Sequence, residues 1–365
     1  MSEPGQQSIF TINHLPGRTI EHNGKSYLFF SGTAYLGLPQ NPVFQQLMID
    51  ATRQYGTVFG SSRNGNVRLG IYEEAEAKLA TFVTDKLTDK FAALTLSSGM
   101  MAGQVVINWL RGQGMSIVYG SHTHPALWHE PVVSLPTLAF RDWGAQVTDQ
   151  LANLPAGPVA ILVNSLDAVR SVYFDFDWVE SLPDDRAITL VVDDSHGLGV
   201  LTNGRGIWPQ IPKKPNVRLV VTASLAKAMG LPGGAVFSDG ETIDEIRKTA
   251  FFGACSPMPP ACLSAFMKAD SVYDEAGERL RTTIRLAEEL LLPTGLFQHA
   301  NGYPVFFTEQ DDLYPYLLQQ GICIYSFAYP TAADRANTRI VISAFHEPND
   351  IEQLARQVYA YLEAA

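Results

Sequence analysis

The sequence predicts an α/β protein: a large domain on a mostly parallel sheet covered by helices on both faces, and a smaller α/β domain at the C-terminal end. Three observations predict it. Short runs rich in Val, Ile and Leu alternate with helical patterns through the middle of the chain. Several of these runs are apolar on both faces, as strands buried between two helical layers are. One run after another closes on a polar residue, and open α/β sheets bind ligands at the carboxyl ends of their strands.

The elements follow in order. "FAALTLSS", "SIVYGS", "VAILVNS", "ITLVVDDS" and "RLVVTAS" read as strands. They close on Ser97 and Ser98, Ser121 and His122, Asn164 and Ser165, Asp193 and Asp194, and Ser224. "GGAVFSD" is a further strand, near enough to its predecessor to be a hairpin or short return. "GMMAGQVVINWLRG" reads as a helix starting after a glycine, with Met101, Val105, Ile107 and Leu110 at near-helical spacing. From about Ala261 the pattern changes. "PPACLSAFMKADSVYDEAGERLRTTIRLAEELLL" reads as one long helical stretch, and "GYPVFFTEQ", "GICIYSFAYP" and "TRIVISAFH" as strands. "PNDIEQLARQVYAYLEAA" is a terminal amphipathic helix with Pro348 and Asp350 near its start. The residues before about Gln45 read as irregular. The expected organisation is residues 1–45 as an N-terminal segment joining the small domain, 46–260 as the large domain, and 261–365 as the small one.

Composition narrows the function. A chain of 365 residues exceeds one typical core, and 46% hydrophobic with 17% charged residues is globular. A net charge of −11 with no long basic run argues against nucleic acid or an anionic membrane as partner. The start, "MSEPGQQSIFTINHLPGRT", lacks the basic and apolar regions of a secretory signal, and no apolar run of about 18 residues occurs. Cys255, Cys262 and Cys323 have no metal spacing and read as small buried hydrophobes in a reduced, cytoplasmic compartment.

Four segments carry chemistry. In "SLAKAMGLPGG", Lys227 stands between an apolar run and a glycine-rich turn, three residues after Ser224. A lysine with a lowered pKa attacks carbonyls to give a Schiff base, although a turn lysine covering apolar surface has the same local sequence. In "VVDDSHGLGVLTNGRG", a strand ends on Asp193 and His196 follows three residues later. A carboxylate there can keep a heterocycle's ring nitrogen protonated. Asp-x-x-His also suits a metal, but no third ligand of suitable spacing is near. "LSSGMMAGQ" sets Ser98, Gly99, Met100 and Met101 at a strand-to-helix turn, where amides bind anions. "YGSHTHPALW" offers His122 and His124 as residues able to stack on a flat ring. Together they match the needs of pyridoxal 5′-phosphate: a lysine for its aldehyde, an acid for its ring nitrogen, a stacking face and a phosphate cup.

With these residues in hand, the chain resembles the fold-type I pyridoxal-phosphate enzymes, and among them the α-oxoamine synthases. The motifs are "AYLGL", "LSSGMMAGQ", "HPAL", "DDSHGLGV" with its later "GRG", "SLAKAMGLPGG", "MPPA" and "TRIVISAFHE", over about residues 27–360. The resemblance implies an aspartate-aminotransferase-like fold with a seven-stranded large-domain sheet. It implies Lys227 as the covalent anchor and proton carrier, Asp193 on the pyridine nitrogen, His196 on the ring hydroxyl, and His124 rather than His122 on the ring face. It implies that Ser224 and the amides of Gly99, Met100 and Met101 hold the phosphate. Ser256 would reach the phosphate of a neighbouring subunit in a homodimer, and Arg339 the substrate carboxylate. Two segments depart from the pattern. Thr33 and Ala34 precede Tyr35 where the family has Asn-Asp or Asn, and Asn164 stands where a glutamate is expected. Thr33 lies at a substrate position, and Asn164 at a cofactor position.

The reaction implied is the decarboxylating condensation of an amino acid with an acyl-CoA to an α-amino ketone. Arg63 and Arg68 are candidates for holding an anionic acyl donor. Transamination is the alternative, because asparagine is common near the ring hydroxyl in aminotransferases. A non-catalytic binding protein on the same scaffold is a third reading, which joint retention of Lys227, Asp193 and His196 argues against.

Overall fold

Six strands build the sheet that positions the candidate residues. In spatial order they are Phe91–Leu96, Gly234–Asp239, Val217–Ser224, Ile188–Asp193, Val159–Asn164 and Ser116–Tyr119. The last four run parallel, and Gly234–Asp239 runs antiparallel to both of its neighbours. "GGAVFSD" is therefore the short return. This computed structural model describes residues 10–84, 91–328 and 336–364. Residues 1–9, the start of the segment read as lacking a signal, and Tyr329 and Pro330 of "GICIYSFAYP" lie outside the described residues.

The chain divides into two units. The larger holds Pro42–Asp167 and Tyr173–Val272; the smaller holds Met1–Asn41, Ala168–Val172 and Tyr273–Ala365. Among the described residues the larger unit's sheet has six strands rather than seven. Each of its six strands matches one apolar run of the sequence. The seventh came from the resemblance and from no pattern in the chain.

The parallel strands are apolar on both faces because helices cover both. Val159, Ala160, Ile161, Leu162, Leu190 and Val191 are fully buried. The helix Gly99–Gly112 buries Ala102, Val105, Val106 and Trp109 against this sheet. Parallel pairing sets Asn164 beside Asp193 and Asp193 beside Thr222. The carboxyl ends therefore share one edge of the sheet.

The long C-terminal helical stretch is two helices, Pro260–Met267 and Asp270–Leu291. Lys78 explains the break. Its Nζ donates to the carbonyls of Phe266 at 3.2 Å and Met267 at 2.9 Å and pairs with Asp270 at 2.6 Å. It thereby satisfies carbonyls that a helix end leaves open.

The smaller unit has its own six-stranded sheet, ordered Thr19–His22, Lys25–Phe30, Ile322–Ala328, Ala336–Val341, Val305–Thr308 and Gln298–His299. Its first two strands correct the irregular N-terminal reading. They form a hairpin whose turn is Asn23-Gly24, with φ of 51° and 72°. Asn-Gly is the dipeptide that two-residue hairpins prefer, because both central residues need positive φ. Lys25–Phe30 then pairs in parallel with Ile322–Ala328.

His346 pins this unit. Its Nδ1 accepts from the Ser343 amide at 3.0 Å, its Nε2 faces the Phe29 carbonyl at 3.0 Å, and its ring stacks on Phe30 at 4.2 Å. Burial, against the opposing pull of these backbone bonds, drives its pKa down to about 4. The unfolded chain therefore binds more protons than the folded one between about pH 4 and pH 6.5. Stability from His346 is fully present above the ordinary histidine range and falls as pH drops toward 4, by up to about 3 kcal/mol. Asp194, pushed up to about 7 by burial, works in the opposite direction. A comparison of wild type with His346→Gln isolates the histidine: the acid-side decline of Tm should be shallower in the variant.

Candidate active site

Five strand ends and the loops after them place the candidate residues of the larger unit other than Ser256. The first is the turn after Phe91–Leu96. Ser98 caps the helix Gly99–Gly112, its Oγ accepting the Met101 amide at 3.2 Å. The Ala102 amide reaches the Ser98 carbonyl at 3.0 Å. Helix geometry leaves the amides of Gly99 and Met100 without an intrahelical acceptor, an arrangement that can bind an anion. Met100 is exposed, and Met101 packs on the core.

Gly99 sits directly on Ser224. A Cβ added at Gly99 would lie 2.6 Å from the Ser224 Cβ and 2.8 Å from its Cα. The Ser98–Gly99 turn and the end of the Val217–Ser224 strand are thus held in backbone contact, which only glycine permits. Gly99→Ala forces them apart and should lower stability by about 1–3 kcal/mol, read as a shift in denaturation midpoint. Gly103, one turn along, approaches the His124 loop as closely: a Cβ there would lie 2.3 Å from the Ala126 carbonyl oxygen.

Asp193 ends the Ile188–Asp193 strand and is 7% exposed. Its Oδ1 accepts the Ser195 amide at 2.9 Å, and its Oδ2 lies 3.7 Å from His124 Nδ1. Ser195 in turn accepts the Ser224 amide on its Oγ at 2.8 Å. One serine therefore ties the candidate ring acid to the candidate phosphate serine. Ser195 has one signal in the sequence, its place between Asp193 and His196. His196 is half-buried in the same loop.

His124 has a defined tautomer. Its Nδ1 accepts the Ala126 amide at 3.1 Å, so the neutral ring carries its proton on Nε2. Burial lowers its pKa, the Lys227 ammonium lowers it further, and Asp193 opposes both.

Lys227 stands in a loop anchored by backbone bonds. The Leu225 amide reaches Gly233, the Leu231 amide reaches Leu225, both at 2.9 Å, and the Gly230 amide reaches Lys227 at 3.2 Å. Leu225, Ala228, Met229 and Leu231 are buried, while Lys227 is half-buried. The loop after Asp193 packs against it: a Cβ on Gly199 would lie 2.7 Å from the Ala228 Cβ. Asp194 holds that loop from beneath. Its Oδ2 accepts the Ile207 amide at 2.8 Å, and Cβ atoms on Gly197 and Gly206 would lie 2.0 and 2.1 Å from its oxygens.

Asn164 bonds to the His124 loop, accepting the His124 amide at 3.0 Å and donating to the His122 carbonyl at 2.6 Å. Ser256 is exposed, between the helices Ala250–Ala254 and Pro260–Met267. The larger unit thus links Gly99, Met101, His124, Asn164, Asp193 and Ser224 through bonds or close packing, and Lys227 stands in the loop three residues after Ser224. Thr33 and Arg339 belong to the smaller unit. There Arg339 is buried, donates from Nη1 to the Ala168 carbonyl at 2.9 Å, and lies 4.0 Å over the Tyr325 ring.

Arg63 is corrected. It forms a two-point pair with Glu76 at 2.8 and 3.1 Å and lies 4.0 Å over the Tyr72 ring, which leaves its charge spent inside the fold. Arg68 is exposed, its Nε on the Gly65 carbonyl at 3.2 Å.

The sequence model of the "Aminotransferase class I and II" family matches residues 31–358. The chain belongs to this family. Within it, the chain is 27% identical to a putative 8-amino-7-oxononanoate synthase of Caulobacter sp. (strain K31), over 95% of this chain and 92% of the relative. It is 28% identical to the 8-amino-7-oxononanoate synthase of Chromobacterium violaceum, over 94% and 91%. Among solved structures, a serine palmitoyltransferase of S. paucimobilis with a bound PLP–myriocin aldimine superposes with a TM-score of 0.82 at 17% identity, covering 98% of this chain and 92% of that one. The 8-amino-7-oxononanoate synthase of Francisella tularensis gives 0.70 at 20% identity, covering 93% and 98%. At these identities the two structures speak for the fold: the family's fold-type I architecture.

Proposed function

We propose that this aminotransferase-family protein is a pyridoxal-phosphate-dependent acyltransferase. It condenses an amino acid with an acyl-CoA, releasing CoA and CO2 and leaving an α-amino ketone. The observation that carries the reading is the linked set on one sheet edge: Asp193 beside His124, Ser195 joining Asp193 to Ser224, Gly99 on Ser224, and Lys227 in the loop three residues after Ser224. Relatives named 8-amino-7-oxononanoate synthase, matched along nearly their whole length, support the choice of reaction.

The donor set fits the cofactor. Lys227 is the amine for its aldehyde, and Asp193 is the carboxylate for its ring nitrogen. His196 suits the ring hydroxyl, and the neutral His124 the ring face. Ser224 and the open amides of the Gly99 turn suit its phosphate. When bound, the cofactor supplies an electron sink for charge developing on the substrate Cα. Lys227 takes the Cα proton and later returns one. Asp193, buried and already bonded to the Ser195 amide, keeps the proton on the ring nitrogen through a charge-assisted bond. Arg339 holds the amino acid carboxylate, and Thr33 lies on the substrate side. Ser256 completes the phosphate site of a second copy, so a homodimer belongs to this reading, as does a cytoplasmic location. Among the described residues no helix is long and apolar enough to cross a membrane.

Free-thiol release and pyridoxamine phosphate test the reading. Thiol release that requires both an amino acid and an acyl-CoA supports the condensation. Pyridoxamine phosphate formed without acyl-CoA establishes transamination instead. Protein that takes up no cofactor leaves the binding-protein reading.

A further inference from the structure

Asn164 is the strand-end residue at which this chain departs from the glutamate expected by resemblance, and its carboxamide is used at both ends. Oδ1 accepts the His124 amide at 3.0 Å, and Nδ2 donates to the His122 carbonyl at 2.6 Å. One bond needs an acceptor and the other a donor, so the pair fixes the amide's orientation. A carboxylate serves the first bond and opposes the second. His122 has φ 58°, in the left-handed region that a non-glycine residue enters at a cost, and the Asn164 donor meets the carbonyl that this conformation presents.

We infer that Asn164 is a positioning residue: by gripping the backbone on both sides of Thr123, it sets the place and tautomer of the His124 ring. The rest of the turn is tied independently. Thr123, buried, donates from Oγ1 to the carbonyls of Gly120 at 2.8 Å and Leu162 at 2.9 Å. Gln104 donates to the carbonyls of Ala126 at 2.9 Å and Trp128 at 3.1 Å. The His124 amide and the His122 carbonyl are held by Asn164. The Leu127 amide holds the His124 carbonyl at 2.9 Å, and the Ala126 amide on Nδ1 carries the placing of the His124 backbone over to the ring. In the sheet register Asn164 lies beside Asp193. The strand edge that carries the ring acid thus also carries the residue that orients the stacking histidine.

The inference rests on the proposed reading of His124 as the cofactor's stacking face, but its geometry belongs to the protein alone. The test uses the full chain labelled with 15N-histidine, first without and then with pyridoxal phosphate. In wild type the His124 ring nitrogens should report one neutral tautomer, protonated on Nε2, with a titration midpoint below the ordinary histidine range. In Asn164→Ala the ring should lose that single signature. Its midpoint should move up as the ring becomes less buried, with Asp193 and Lys227 still facing it. Pyridoxal phosphate should bind about three- to tenfold more weakly, the scale of one lost hydrogen bond. Asn164→Ser, which stays polar at the strand edge and reaches neither backbone partner, carries the test if the alanine variant does not fold. Variants that lose only stability, with the His124 tautomer and midpoint unchanged, overturn the inference. Wild type that develops no cofactor absorbance refutes the proposed function, while the tautomer comparison without cofactor still decides the role of Asn164.

Discussion

Lys227→Ala should lower turnover by on the order of 10³-fold or more and leave the fold intact. The two effects separate because of where the lysine stands. Its loop is held by backbone bonds from Leu225, Gly230 and Leu231, and by the buried side chains of Leu225, Ala228, Met229 and Leu231. None of these needs the ammonium, and the Lys227 side chain is half-buried rather than packed into the core. Removing it takes away the proposed amine for the aldehyde and the base for the Cα proton together. The loss should therefore appear in kcat and kcat/KM alike, since both functions are expressed in the transition state. Tm should move little. His124 should report the change as well: the Lys227 ammonium lowers its pKa, so the midpoint rises in the variant.

Glu76→Ala should destabilise the larger unit by about 3–5 kcal/mol, the scale of removing one partner from a buried charge network. Glu76 is 3% exposed. It accepts both guanidinium nitrogens of Arg63, Nη2 of Arg247 at 2.7 Å, and the amide and hydroxyl of Thr95 at 2.7 and 2.8 Å. The Arg63 side chain is itself only 7% exposed. Without Glu76, that charge is left buried and unpaired, and the Thr95 amide loses its acceptor. Thr95 lies on the strand leading to the Ser98–Gly99 turn, so the damage extends toward that turn. Urea denaturation reads the effect. A loss below about 1 kcal/mol, the size seen for exposed pairs, contradicts the buried-network description.

The larger unit was legible in the sequence because its signals are local. Each parallel strand is a short apolar run closed by a polar residue, so Asn164, Asp193 and Ser224 announce the sheet edge on which they stand. The Asp193 and Lys227 segments carry residue types matched to one cofactor's chemistry. What was not legible depends on partners far along the chain. Arg63 reads as a loop charge until Glu76, Thr95 and Arg247 fold around it. The C-terminal helical stretch reads as continuous because its interruption comes from Lys78, some 190 residues earlier in the chain at 189 positions from Met267. Asn164 reads as a cofactor position, and its bonds to the His122 and His124 backbone have no sign in the sequence. Ser195 carries no pattern of its own and acts only through Asp193 and Ser224. The Asn23-Gly24 hairpin is different: its dipeptide signal is local and was simply passed over.

Lys227 is the proposed covalent anchor of pyridoxal phosphate. Incubation with the cofactor, reduction with borohydride and tryptic mapping test it directly. Arg218 and Arg247 bound the relevant peptide, and a modified Lys227 blocks the cleavage between them. The prediction is a pyridoxyl group on Lys227 in the uncleaved peptide, with none there in Lys227→Ala. A label spread over other lysines, equal in wild type and variant, would contradict it.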